Sequence, residues 1–368
     1  MKILITGANG FIAKNFISHL KEKKEIEILA YTKDKHIDEL SDLISKADII
    51  FHLAGVNRPK EVSEFSKINI GLTEIICKLA KQLNKKVPIV FSSSTQADLE
   101  NDYGRSKYEA EQLLNSLSKD LGNKVFNLRL PNVFGKWCRP NYNSVVATFC
   151  YNISHELPIK INNPETKLSL IYIDDLIFIF FKILENINID ASKLISSIEY
   201  VITLKELSEI LIGFRESRNN LIIDRVGTGL IRALYSTYIS YLEPNSSKYE
   251  IKQFSDNRGV FVEMLKTKDS GQISFLTAYP GITRGNHYHH SKTEKFLVVK
   301  GKARFNFKHI LSDEFQTIYV SGEKLEIVET IPGWAHDITN VGDEELVVLL
   351  WANEVFDKNQ PDTYIYKF

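Results

Sequence analysis

The sequence predicts two domains of different class: an α/β domain built on a doubly wound parallel sheet, followed by an all-β domain. Three observations predict this. The chain opens with a strand-like run, Lys2–Thr6, that passes through glycines into a helical pattern from Phe11 onward. Apolar strand runs then alternate with helical patterns as far as about Leu242, the arrangement of parallel βαβ units. Beyond that point Ile273–Thr277, Phe296–Lys300, Ala303–Phe307, Thr317–Val320, Leu325–Val328 and Leu346–Trp351 are short strand-like runs separated by turn residues, with no long helical pattern among them.

The first element, KILIT, is apolar enough for a central parallel strand. The turn that follows, GANGFIAKNF, brings Gly7 and Gly10 to the start of a helix. Glycines there let the backbone approach a pyrophosphate, and the helix N-terminus supplies free N–H groups and a positive dipole end. Glu27–Tyr31 is the second strand. Asp48–Gly55 (DIIFHLAG) is a buried strand ending in small residues, and Asn69–Thr73 starts an apolar helix through Ala80. Pro88–Ser94 (PIVFSSS) is a strand ending in hydroxyls, Tyr103–Lys107 (YGRSK) opens an amphipathic helix, and Val125–Arg129 leads into Pro131–Gly135. Ligands of such sheets bind beyond the carboxyl ends of the strands, where Gly7, His52, Ser94 and Asn132 fall. Tyr103 and Lys107 lie one helical turn apart on one face, and the ammonium is expected to lower the tyrosine pKa toward proton transfer near neutral pH. After the second strand come Thr32, Lys33 and Lys35. A hydroxyl and two lysines suit a 2′-phosphate, so NADPH is the expected cofactor unless the strand runs on toward Asp34.

The turn-rich stretch Leu242–Ser247 (LEPNSS) is the predicted boundary, giving domains 1–243 and 247–368. In the second, His287 and His289 are two apart on a strand and aim to one side. Glu294 comes from the next strand and His336 from one far along the chain. Three imidazoles and a carboxylate suit zinc, iron, manganese or nickel, with zinc the expected ion. His290 falls on the opposite face and reads as structural.

Composition limits the rest. At 368 residues two domains are expected, and 46 basic residues balance 46 acidic ones. Neither nucleic acid nor a membrane surface is therefore an expected partner. Cys77, Cys138 and Cys150 show no motif spacing and fit a reducing cytoplasm. Met1 leads straight into the first strand, so no signal peptide is expected. Leu170–Leu184 is interrupted by Asp174, Asp175 and Lys182 and is too short to span a bilayer.

From Met1 to about Leu242 the order of landmarks resembles the extended short-chain dehydrogenase/reductase family. The matching motifs are the glycine turn, His52-Leu-Ala-Gly55, Asn69-x-Gly71-x-Thr73, the serine run, Tyr103-x-x-x-Lys107, Arg129-x-x-Asn132-x-x-Gly135 and Ile171–Asp175. The resemblance implies a Rossmann-type fold. It places the dinucleotide against Gly7, Asn9, Gly10, Phe11 and Ile12, with Thr32 and Lys33 at the ribose and Leu53, Ala54 and Gly55 after the third strand. It also implies that Ser94 hydrogen-bonds the reacting oxygen, rather than Ser92 or Ser93. Lys107 would hold the nicotinamide ribose, and Asn132 would contact substrate.

Gly285–Gly301 (GNHYHHSKTEKFLVVKG) and Pro332–Asn340 (PGWAHDITN) resemble the two motifs of the cupins, which implies a jelly roll with the metal in its mouth. Asp256–Glu263 (DNRGVFVE) is similar to a segment of the deoxysugar epimerases related to dTDP-4-keto-6-deoxyglucose 3,5-epimerase, and implies that Arg258 helps to build a substrate cavity. The metal set departs from those epimerases, which use histidine and aspartate. An extended reductase joined to a metal cupin resembles a family of bifunctional capsular polysaccharide enzymes. Lys136–Asn143 and Asn359–Tyr364 add to that likeness. It implies a UDP-linked 4-keto-6-deoxy-2-acetamido sugar, a product on the route to UDP-N-acetyl-L-fucosamine, and a homodimer. The ketone acidifies C3, so epimerisation at C3 precedes reduction at C4. Lys292 and His290 stand near enough to be the C3 base, and the residues do not choose between them. Two competing readings of the β domain are an iron-dependent dioxygenase and a structural or dimerising module with a closed metal site.

Overall fold

Strand β1 (Lys2–Thr6) is buried from Ile3 onward, because its side chains face helices on both sides. We describe a computed structural model of the chain covering residues 1–243, 246 and 248–368. The chain divides into two units. One comprises Met1–Leu211 and Thr228–Leu242; the other comprises Ile212–Gly227 and Glu243–Phe368. The second unit therefore includes a stretch that the sequence places in the amino-terminal domain. Within the predicted boundary, Pro244, Asn245 and Ser247 lie outside the described residues.

The first unit continues with α1 (Phe11–Leu20), β2 (Glu27–Tyr31), α2 (Ile37–Lys46), β3 (Ile49–His52), α3 (Gly71–Gln82), β4 (Ile89–Ser94), α4 (Asp102–Leu121) and β5 (Val125–Leu130). All five strands are parallel, in the order β2-β1-β3-β4-β5. One face packs Leu4, Ile50 and Phe91 against Leu40, Ile76 and Leu114 of α2, α3 and α4. On the other, Phe16 of α1 meets Phe51 at 4.6 Å between ring centroids. The topological switch lies between β1 and β3, so the ligand crevice is set by Gly7 and by the loop after His52. A smaller sheet, β6 (Asn132–Phe134), β7 (Lys167–Tyr172) and β8 (Tyr200–Thr203), follows with α5 (Val145–Ser154), α6 (Ile173–Glu185) and α7 (Ala191–Ser197). Helix α8 (Leu204–Asn220) leads into the second unit's β9 (Ile222–Ile223), and α9 (Gly229–Ile239) returns to the first.

The second unit is mostly β: β10 (Gln253–Asp256), β11 (Gly259–Thr267), β12 (Gln272–Ala278), β13 (Thr283–Tyr288), β14 (Glu294–Lys300), β15 (Lys302–His309), β16 (Phe315–Ser321), β17 (Ile327–Glu329), β18 (Trp334–Asn340), β19 (Leu346–Ala352) and β20 (Tyr364–Ile365). Five of the six strand-like runs read from the sequence lie within one of these strands, while of Leu325–Val328 only Ile327 and Val328 are in β17. They form two sheets, β10-β11-β12-β19-β14-β17 and β16-β15-β18-β13-β20, with β9 joining β11. The sheets enclose one core: Leu276, Phe296, Val298 and Val348 of the first meet Phe305, Phe307 and Ile338 of the second. No helix among the described residues is long and apolar enough to cross a membrane.

Candidate functional site

In the first unit the glycine turn is shaped by close backbone contact. Gly7 has φ +66°, and a Cβ there would lie 2.6 Å from Ala54 Cα. Only glycine fits, so β1 and the Leu53–Gly55 loop come together beneath the start of α1. The first turn of α1 has no acidic residue and no side-chain cap, which leaves its N–H groups and positive dipole end available to an anion. Asn9, Gly10, Phe11 and Ile12 occupy this corner. Strand β2 ends at Tyr31, as read from the sequence, with Thr32 and the exposed Lys33 following directly and Asp34 farther into the turn.

Beneath the crevice His52 is fully buried. It bridges Thr6 Oγ1 (2.7 Å) and Thr73 Oγ1 (2.9 Å). Burial, and secondarily the charge of Lys107, push its pKa down to about 3, so it is a neutral structural link. Asn69 accepts from the Val56 N–H and donates to Ser106 Oγ, tying the loop after β3 to α4.

The three serines ending β4 do different things. Ser92 Oγ donates to the His52 carbonyl at 3.3 Å. Ser93 Oγ donates to the buried Glu111 carboxylate, which also takes a bidentate pair from Arg129. Ser94 Oγ accepts the Gln96 N–H at 3.2 Å and stands near enough to the Tyr103 side chain to pull its pKa down. Lys107, on the same face of α4 as Tyr103, donates to the Ser92 carbonyl at 2.8 Å, with Nζ 6.0 Å from the Tyr103 ring centroid. One expectation needs correction: Tyr103 is not acidified here. Burial raises its pKa, and the Ser94 contact only partly opposes this. Burial instead pulls Lys107 down to about 8, against the charge of Glu111. Asn132 starts β6, exposed, with Nδ2 donating to the Ser169 carbonyl.

In the second unit one ligand atom from each of His287, His289, Glu294 and His336 lies within 4.8 Å of the others. They come from both sheets: His287 on β13 opposite His336 on β18, Glu294 at the start of β14. The register explains how His287 gets there. Gly285 pairs with Asp337 and His287 with His336, so Asn286 is an extra residue in β13. Gly285 and Asn286 both have positive φ, and a Cβ on Gly285 would lie 2.9 Å from the His336 carbonyl oxygen. This bulge turns His287 inward; without it the residue would face outward with Asp337. His289 lies just past the end of β13 but still points inward, its ring 4.9 Å from His287.

The electrostatics fit a divalent cation. His336 Nε2 is 3.3 Å from Glu294 Oε2, yet neither of its buried ring nitrogens has a hydrogen-bond partner. Burial, then the neighbouring His336, lowers His287 to about 4, so its imidazole is neutral at pH 7. Burial alone would raise Glu294, but its close contacts with His289 and His336 and the charge of Lys292 hold it ionised, below the usual carboxylate range. Three imidazoles and one carboxylate converging on a buried point form the kind of set that can hold a divalent metal. Of the two residues that could act as base, Lys292 is buried with Nζ 3.8 Å from Glu294, while His290 is exposed and packs edge-on against Tyr364.

Arg258 lines an open cavity of about 540 Å³ with Phe254, Asp256, Phe261 and Arg284. Asp256 is paired with Arg258 and held down at about 2 by it. Arg284 was not singled out in the sequence. It pairs with Ile338, on the same inner face as His287, and its buried Nε has no partner.

Residues 3–195, more than half the chain, match the model of the NAD dependent epimerase/dehydratase family. The chain belongs to that family. Residues 254–364 match the polysaccharide biosynthesis C-terminal domain. Over its full length the chain resembles the UDP-2-acetamido-2,6-beta-L-arabino-hexul-4-ose reductase of Pseudomonas aeruginosa, with 53% identity over 99% of this chain and 98% of that one. It also matches the crystal structure of the capsular polysaccharide assembling protein CapF from Staphylococcus aureus, with 42% identity, a TM-score of 0.92 and complete coverage of both chains. A dTDP-4-dehydro-6-deoxyglucose reductase of Escherichia coli is 28% identical over 60% of this chain and 88% of its own length.

Proposed function

We propose that the protein is a bifunctional nucleotide-sugar enzyme. Its second unit, a metal cupin of jelly-roll type, inverts C3 of a UDP-linked 4-keto-6-deoxy-2-acetamido-hexose. Its first unit then reduces the C4 ketone with NADPH. The product lies on the route to UDP-N-acetyl-L-fucosamine for a surface polysaccharide, and the enzyme acts in the cytoplasm as a homodimer. The observation that carries this reading is the full-length similarity to a reductase named for a UDP-linked 2-acetamido-hexul-4-ose, in a chain holding both a Ser94–Tyr103–Lys107 set and a four-ligand cluster.

When bound, NADPH supplies the hydride and a divalent ion, zinc in this reading, supplies Lewis acidity toward the developing enolate. The protein's own groups do the rest. In the first unit Ser94 orients the C4 oxygen, and Tyr103, protonated at neutral pH because it is buried, gives its proton to that oxygen as C4 is reduced. Lys107 supports the tyrosinate so formed and holds the nicotinamide ribose. The N–H groups at the start of α1 take the pyrophosphate, and Thr32 and Lys33 take the 2′-phosphate. Asn132 contacts the sugar. In the second unit His287, His289, Glu294 and His336 hold the ion, and Arg258 with Arg284 offers positive charge to the substrate's diphosphate. Lys292, whose buried Nζ stands beside Glu294, is the better placed carrier of the C3 proton, which it takes as the neutral amine.

The test is to incubate the enzyme with the 4-keto substrate in deuterium oxide without nicotinamide and follow C3 by NMR. Exchange with inversion that survives Tyr103→Phe but is lost in His336→Ala supports the assignment. A second reading draws on the closed set of four protein ligands, which suits a structural metal. Absence of C3 exchange, with NADPH oxidation still seen, selects that reading and leaves a ketoreductase.

A further inference from the structure

The end of the chain lies along the four-ligand cluster. β20 pairs antiparallel with β13, placing Ile365 opposite His287 and Tyr364 opposite Tyr288. The Tyr366 N–H extends the pairing to the carbonyl of the bulge residue Asn286 at 2.8 Å. Just before β20, Asp362 holds the loop that joins His289 to Glu294. Its Oδ1 accepts the His290 N–H at 2.9 Å. Its Oδ2 accepts the N–H groups of Ser291 and Lys292, each at 2.7 Å, and the Ser291 hydroxyl at 3.0 Å. The next residue, Thr363, accepts from Lys292 Nζ at 3.2 Å through its hydroxyl.

The Asp362 backbone carbonyl is the hydrogen-bond partner of His289 Nδ1. A carbonyl oxygen can only accept, so this contact places the ring proton on Nδ1. His289 then presents the Nε2 lone pair inward, where Nε2 lies 3.2 Å from Glu294 Oε2. An outer partner of this kind sets the tautomer and ring angle of a metal-binding imidazole. His289 needs such a partner more than the other two histidines do. His287 and His336 are fixed by strand pairing, whereas His289 lies beyond the last residue of β13.

We infer that Asp362–Tyr366 is a positioning strap for the metal site, with Asp362 as its positioning residue. Asp362 fixes the tautomer of His289 through its carbonyl and holds the 290–292 loop through its carboxylate. The bulge that turns His287 inward is held by the same segment, so two of the four ligands depend on the chain's end. The inference rests on the proposal that the cluster binds a divalent ion.

The test is zinc affinity of the full-length protein by chelator competition, with imidazole ¹⁵N shifts of the metal-free form. Wild type should bind one zinc per chain in the cluster and show His289 as the Nδ1–H tautomer. Asp362→Ala keeps the backbone carbonyl but removes the carboxylate that holds the 290–292 loop, so the carbonyl is free to move off His289. Zinc should weaken by about 10–100-fold, the usual cost of losing an outer partner, and the His289 tautomers should mix. Asp362→Asn keeps one acceptor oxygen and should recover part of the affinity. Should Asp362→Ala not fold, Asp362→Asn alone decides, with a weakening of at least about 5-fold expected. Wild-type affinity and an unmixed tautomer in the folded variants would overturn the strap while leaving the metal proposal intact. A wild type that binds no zinc at the cluster would overturn the metal proposal, and the strap with it.

Discussion

Acidification should destabilise the first unit through the buried residue His52. Its pKa falls from an ordinary 6.5 to about 3 because burial excludes the charged ring. The folded state thus binds fewer protons than the unfolded chain between those values. Stability from this source is complete above pH 6.5 and is lost as pH drops toward 3. Across the whole window the effect is about 5 kcal/mol, from 1.36 kcal/mol per pKa unit. Between pH 7 and pH 5 it is about 2 kcal/mol, since only part of the window is crossed. Most of the helix content lies in the first unit, so urea unfolding followed by far-ultraviolet circular dichroism reports on it. His52→Gln removes the titration while retaining a donor and an acceptor between Thr6 and Thr73. The variant should be less stable than wild type at pH 7 but lose about 2 kcal/mol less on going to pH 5. Equal losses in both proteins would refute the reasoning and mean that His52 is not held neutral by burial.

Three other perturbations bear on the two sites. C4 reduction by wild type should decline as pH rises through about 8, where Lys107 loses its proton, and Lys107→Arg should flatten that limb; a wild-type rate level from pH 7 to 9.5 would contradict it. Gly7→Ala forces a Cβ to 2.6 Å from Ala54 Cα, and about 1–3 kcal/mol of backbone strain corresponds to a roughly 5- to 150-fold weaker NADPH in a binding titration. Unchanged affinity would mean that the turn adapts. Glu294→Gln removes the negative ligand and should weaken zinc by more than about 100-fold, beyond the loss of an outer partner, while NADPH binding, measured in parallel, stays constant.

The sequence made the cofactor crevice legible because its rules are local. A strand ending in glycines, a hydroxyl run at the end of β4 and a tyrosine and lysine one turn apart each need only a few consecutive residues. The direction of the Tyr103 shift is not legible in the sequence for the opposite reason: desolvation is set by everything packed around a group, and spacing reveals only the neighbouring charge. The same limit applies to the metal cluster. Alternation along a strand brings His287 and His289 to one side, but the inward turn depends on a bulge at Asn286 that shows only once β13 is paired with β18. Asp362 falls in Asn359–Tyr364, a stretch that resemblance marks, but its role is not legible there because its partners lie about seventy residues away. Arg284 stands beside the histidine motif and could have been found by extending the inward parity one residue past the bulge.

The chain enters the second unit at Ile212, leaves after Gly227 and returns at Glu243, so the polypeptide is laced rather than beaded. A gene fragment starting at 248 would encode most of the β strands but not β9, which pairs with β11 at Lys266 and Thr267. It would also lose the partners of Lys268 and Asp269, which are Asp224 and Arg225. The excised piece would expose a raw sheet edge, an invitation to aggregation. Exchange of this module between enzymes therefore requires two cuts upstream, at 212 and 227, and a redesigned joint in place of α9.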